Sequence, residues 1–169
     1  MDKLKYLKDG LKQNHACKNG RIDLRKVKTE SGMIDLFYKN IDFCLAKDFP
    51  DLSFIKSVAG IEKRGIFVSK KDFKKNLEKL VLLGRCDFEA SYSDYAAGRV
   101  YVKSDSRLTV RASGNSFVVI DALDNAKISV EASEDAQVVV NLYAAATCSG
   151  NARIIVKGKE TYELENLSS

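Results

Sequence analysis

Residues 115–142 read NSFVVIDALDNAKISVEASEDAQVVVNL, and three segments within them superpose at intervals of ten: Asn115–Ala122, Asn125–Ala132 and Asp135–Leu142. A fourth copy follows at Asn151–Gly158, and weaker ones lie at Gly98–Ser104, Asp105–Ala112 and Ala145–Ser149. Cys86–Ala90 shows the same alternation without the turn. Each copy opens on Asn or Asp followed by Ala or Ser and then alternates apolar and polar residues. Alternation of period two is a strand with one buried face. The inward set runs through Val100, Val102, Leu108, Val110, Val118, Ile120, Ile128, Val130, Val138 and Val140 to Cys148, Ile154 and Val156. Asn and Asp tolerate left-handed backbone angles, and Gly114, Gly150 and Gly158 adopt them readily, which suits corners recurring at fixed intervals. Repetition of this kind predicts a β-solenoid, in which each strand stacks on its equivalent in the next coil.

The outward residues indicate how many strands make one coil. Tyr101, Thr109, Val119, Ser129, Val139, Ser149 and Ile155 alternate between apolar or aromatic and hydroxyl-bearing side chains. A coil of two strands and about twenty residues places Tyr101, Val119, Val139 and Ile155 on one face and Thr109, Ser129 and Ser149 on the other. A flattened solenoid of roughly four such coils is expected, with an antiparallel meander as the alternative.

The first half reads as helical. Leu4, Leu7 and Leu11 share a face over residues 2–14, although Gly10 interrupts it. Ile34, Phe37, Ile41 and Cys44 predict one helix over 32–47 with Ser31 as its cap, and Asp51 caps a short helix that ends at Gly60. Ser69 and Asp72 form an imperfect capping box before Phe73, Leu77 and Leu80, with strand beginning by Val81–Leu83. The expected fold class is α+β, a small helical N-terminal half packed on a C-terminal β-solenoid. The expected organisation is a basic, mainly helical region over 1–79, solenoid repeats over 80–160 and a tail over 161–169.

Residues 98–158 resemble tandem repeats of bacterial and phage-associated proteins that are built on a Gly/Asp-Asn-Ala turn and a short alternating strand. More distantly the segment is similar to the right-handed β-helix class, which includes polysaccharide lyases. For those enzymes the resemblance implies carboxylate-bound calcium and basic residues on the coil surface. Arg107, Arg111, Lys127 and Glu131 form no acidic cluster suited to calcium.

The chain has 169 residues, 45% hydrophobic and 30% charged, with 28 Lys+Arg against 23 Asp+Glu. Its apolar runs are too short to span a bilayer and its start is charged where a signal peptide is apolar, so a cytoplasmic protein without membrane contact is expected. Cys17, Cys44, Cys86 and Cys148 are widely spaced and expected to be free, and His15 with Cys17 supplies only two metal ligands. No metal or other cofactor is predicted. Asp121 with Asp124, and Glu131 with Glu134 and Asp135, are the carboxylate groupings that could serve hydrolysis, but a soluble solenoid carries charge at such corners in any case. The expected function is non-enzymatic: a structural or protein-interaction module, self-association included, with Tyr101, Val119, Val139 and Ile155 as its surface. The first alternative is a nucleic-acid-binding accessory protein whose phosphate contacts are Arg25, Lys26, Lys28, Lys63, Arg64, Lys70, Lys71, Lys74 and Lys75. The second is a small carbohydrate-active β-helix protein. Residues 1–84 hold 19 Lys+Arg and 11 Asp+Glu and residues 85–169 hold 9 and 12, so a cut at that point gives halves of opposite sign.

Overall fold

A computed structural model describes residues 2–164; positions 165–169 of the expected tail lie outside the described residues. The chain divides into two units, one comprising residues up to Ile61 and the chain from Tyr162, the other Glu62–Thr161.

Among its described residues the first unit contains five short helices. Helix α1, Lys3–Gln13, is capped by the Asp2 carboxylate, which accepts the N–H groups of Leu4 and Lys5 at 3.1 Å, and it buries Leu7 and Leu11. Gly10 belongs to this helix because the ring of Phe49 needs the space: a Cβ there would lie 2.0 Å from Phe49 Cε2. Helix α2, Lys18–Leu24, starts at Cys17, whose Sγ accepts the Gly20 N–H; a thiol is an unusual cap, and no helix is evident here in the sequence. The single helix predicted over 32–47 is two, α3 (Glu30–Lys39) and α4 (Ile41–Ala46). Asn40 separates them, leaving helical angles at φ −120° and donating its side-chain amide to the Leu36 carbonyl. Thr29, rather than Ser31, caps α3. Helix α5, Leu52–Ser57, is capped by Asp51 as expected. The other oxygen of Asp51 accepts from the Tyr6 hydroxyl at 2.6 Å, and the Tyr6 ring stacks on Phe54 at 4.6 Å, tying α1 to α5.

The second unit opens with a single 3-10 turn, Glu62–Arg64, and then forms eleven strands. They are β1 (Ile66–Val68), β2 (Lys71–Lys75), β3 (Lys79–Leu83), β4 (Asp87–Tyr92), β5 (Ala97–Val102) and β6 (Arg107–Ala112), followed by β7 (Phe117–Ala122), β8 (Lys127–Ala132), β9 (Gln137–Leu142), β10 (Thr147–Gly150) and β11 (Arg153–Val156). Odd-numbered strands make one sheet in the order β1-β3-β5-β7-β9-β11, and even-numbered strands make the other, β10-β8-β6-β4-β2. Each strand pairs in parallel with the strand two further along the chain, as in Val100↔Ile120 and Val110↔Val130. Parallel pairing at this separation is a solenoid of two strands per coil and excludes the antiparallel meander.

The register advances by twenty residues per coil from β3 to β10, which gives four regular coils. It is shorter at both ends: Ile66 pairs with Val81, Lys71 with Asp87, and Val139 with Arg153. These contracted steps hide the first coil from any search for self-similarity. The helix expected after Ser69 is therefore absent, and residues 66–75 are strands β1 and β2, ahead of residue 80 where the repeats were expected to begin.

Inward side chains form the core, with Leu80, Val100, Ile120 and Val140 stacked in one column and Phe88, Leu108 and Ile128 in a facing one. At the corners, the left-handed residue is the one just before the start of each copy: Gly114, Asp124, Glu134 and Ala144 have φ of 64°, 57°, 57° and 51°. Two residues on, Ser116, Ala126, Ala136 and Ala146 donate their N–H back across the turn, which closes it, and they are small because they fit inside the bend. The polar corner side chains also reach along the stack. Asp124 accepts the Ser104 N–H at 3.2 Å and Glu134 accepts the Gly114 N–H at 2.6 Å, each one coil away. These bonds satisfy corner N–H groups that no strand partner can reach.

Candidate functional site

A solenoid has two ends, and here they differ in chemistry. At the N-terminal end, β2 places Asp72 and Lys74 in register with the inward-facing Phe88 and Ala90. Lys74 Nζ lies 2.7 Å from Asp72, while Lys70 pairs with Glu62. Both ammonium groups sit over the ring of Phe67, 5.5 and 5.8 Å from its centroid. The result is a charged lid on an apolar core, and inward charge of this kind prevents further strand addition. The hydrogen bond from Lys74, followed by the Phe73 N–H, holds the carboxyl of Asp72 below its ordinary range, with the charges of Lys74 and Lys70 adding to the effect.

Among the described residues the C-terminal end has no such lid. Strands β10 and β11 each have a sheet neighbour on one side only. Ile154 and Val156, which continue the inward columns of Val140 and Leu142, are 42% and 74% exposed. Cys148, Leu142 and Ala152 are partly buried against the same core. No charged residue occurs in β10, and β11 carries one, Arg153. Burial raises the thiol pKa of Cys148, keeping it protonated.

The face of the even-numbered sheet is a polar ladder. Thr109, Ser129 and Ser149 form a true column, as expected. Arg111 beside them binds Glu89 at 2.8 Å and Glu131 at 3.1 Å, one carboxylate from each adjacent coil, and Lys71 lies 3.3 Å from Asp87. Opposite charges directly across strands hold register and leave little net field.

The proposed apolar column on the odd-numbered sheet divides into two. Val119 and Val139 align with Arg99 and Arg153, whereas Tyr101 aligns with Asp121, Asn141 and Ile155. Tyr101 is only 9% exposed, and Val119, Val139 and Ile155 are half-buried, so these four residues do not make one open apolar strip. Around Tyr101 lies a polar network that sequence reasoning missed. Asp121, 1% exposed, accepts from Arg99 at 2.6 Å and from Asn141 at 2.6 Å, and the Arg99 guanidinium lies 5.1 Å from the Tyr101 ring centroid. Its signal was the twenty-residue spacing of Tyr101, Asp121 and Asn141, which becomes readable only once the coil length is known.

Of the basic residues proposed for phosphate contact, Lys26, Lys70, Lys71 and Lys74 lie within ion-pair distance of carboxylates. Arg25, Lys26 and Lys28 belong to the first unit and Lys63, Arg64, Lys70, Lys71, Lys74 and Lys75 to the second, so the nine do not form one patch within either unit. The structural boundary also removes the opposition of charge. The first unit, residues 1–61 with 162–169, holds 12 Lys+Arg and 10 Asp+Glu, and residues 62–161 hold 16 and 13, so both have a mild positive excess.

Four of the five carboxylates named for hydrolysis have structural bonds, Asp121 among them. Asp124 takes Lys103 at 3.0 Å, Glu131 takes Arg111 and Glu134 takes the Gly114 N–H. His15 is exposed at the left-handed end of α1, and Cys17 is the α2 cap. The four cysteines are free, Cys44 and Cys86 being buried. Among the described residues no group of three or more His, Cys, Asp or Glu could hold a metal ion, and no helix is long and apolar enough to cross a membrane. The class defined is a parallel, two-sheet β-solenoid that follows a helical unit. Comparison with protein-family models, curated proteins and solved structures finds no match to the chain.

Proposed function

We propose that this chain is a non-enzymatic structural module that makes protein contacts through the C-terminal end of its solenoid. The observation that carries this reading is the contrast between the ends: inward Asp72 and Lys74 lie at one, and exposed inward Ile154 and Val156 at the other. A parallel strand edge with its apolar interior bare is a template for another chain. The bonded state of Asp121, Asp124, Glu131 and Glu134 favours a structural role for those carboxylates over hydrolysis. Four free thiols suit a reducing compartment such as the cytoplasm, and the likeness of residues 98–158 to bacterial and phage tandem repeats accords with a building-block role.

A photo-crosslinking residue at position 156 of the full chain, with one at the exposed Lys127 as control, tests the reading. A discrete protein adduct is expected from position 156 and none from 127; no adduct at 156 at any protein concentration overturns it. The nucleic-acid alternative predicts salt-dependent retention on heparin and a shift of labelled DNA or RNA at low salt. Neither is expected.

A further inference from the structure

We infer that the C-terminal end of the solenoid pairs with the same end of a second copy of this chain, tail to tail. This rests on the reading of that end as a protein contact and names the partner. An occupant must meet two strand edges at once, β10 and β11, on opposite sides of an apolar interior that includes Ile154 and Val156. Facing sheets stand about 10 Å apart, so the complementary surface is itself the cross-section of a two-sheet solenoid.

The other end of this chain does not qualify. Head-to-tail stacking would press Asp72, Lys74 and Lys70 against Ile154 and Val156, burying charge against hydrocarbon. The same end does qualify, because the chain reverses direction at each corner and β10 therefore runs opposite to β11. A two-fold axis parallel to the strands lays β11 of one copy along β10 of the other, antiparallel, and does so twice. Strand β11 stands half a coil beyond β10, so in this arrangement each projecting edge fills the other's recess. The interface is isologous and closes at two chains. Charge does not oppose it: Arg153 of β11 meets β10 of the second copy, whose residues Thr147–Gly150 are uncharged.

The end face is small. Strands of four to six residues in sheets about 10 Å apart present a few hundred Å² per partner, below the roughly 800 Å² of standard interfaces, so the association is weak and concentration-dependent.

Sedimentation velocity of the full chain from about 10 μM to about 0.5 mM is expected to show a monomer–dimer equilibrium with no larger species. Val156→Lys puts a charge on the shared interior and is expected to weaken dimerisation at least tenfold while leaving the circular dichroism spectrum unchanged. As a second measurement, maleimide labelling of Cys148, followed by mass spectrometry, is expected to slow as protein concentration rises, with no change at Cys17. A monomer across the whole range, a ladder of higher oligomers, or a dimer insensitive to Val156→Lys overturns self-pairing. If the chain is monomeric yet the position-156 crosslinker captures a different protein, self-pairing fails and the contact reading stands. If neither occurs, both fail.

Discussion

The ring of Tyr92 occupies the space a side chain at Gly98 would need: a Cβ on Gly98 would lie 2.5 Å from Tyr92 Cε1. Both positions point inward, Gly98 in the column of Val118 and Val138 and Tyr92 in that of Ala112. One large residue is thus matched by one absent side chain within a single coil. Gly98→Ala is expected to cost about 1–3 kcal/mol in denaturant unfolding through overpacking. In a Tyr92→Ala background that cost should largely vanish, and a double-mutant cycle showing additivity would refute the pairing.

The Tyr92 hydroxyl is buried without a hydrogen-bond partner, and desolvation pushes its pKa up to about 12. A pKa raised in the folded state leaves stability intact below the unfolded value near 10 and removes it as pH climbs toward 12. The loss by pH 12 is about 2–3 kcal/mol. Tyr92→Phe should match or exceed the native protein at neutral pH, by up to about 1 kcal/mol, because no bond is lost. Comparing urea midpoints of the two proteins between about pH 9 and pH 12 should show the native curve falling further.

Corners with left-handed residues respond to substitution in opposite directions. Gly150 has φ 95°, and a Cβ there would lie 1.8 Å from the Val130 carbonyl oxygen, so Gly150→Ala should detach β10 from β8 and accelerate amide exchange at both. Ala144 sits at φ 51° and is exposed, so Ala144→Gly should relieve the strain and raise the unfolding free energy by about 0.5–1 kcal/mol.

Asp121 answers Arg99 and Asn141 with different oxygens. Asp121→Ala leaves both facing an apolar methyl and is expected to destabilise by about 3 kcal/mol or more; Asp121→Asn, which keeps an acceptor oxygen, should cost less. Equal losses in thermal unfolding would mean that the charge of Asp121 contributes nothing.

Removing the lid from the N-terminal end should expose a second template. Asp72→Val combined with Lys74→Val is expected to produce concentration-dependent light scattering from larger assemblies, with none expected from the native sequence. Unchanged scattering would mean that the charges at this end do not block association.

The amino-acid sequence by itself determined the coil. Strict alternation in residues 115–142 sets one face of each strand inward, and the change of outward chemistry from unit to unit sets two strands per coil, because both depend on local periodicity that survives in one dimension. It also marked Asp51 as a cap, since capping acts between residues three apart. Strands β1 and β2 were not legible: their coil is shortened, and the inward positions of β2 hold Asp72 and Lys74, so the alternation that signals a strand is inverted there. The break at Asn40 was hidden because apolar spacing continues through it. Tertiary structure alone decided which inward residues are core and which are end. Val140 and Ile154 occupy the same column, but among the described residues only Val140 has a strand above it. Burial depends on the neighbouring coil, and the repeat pattern that predicts each coil carries no mark of where the stack stops.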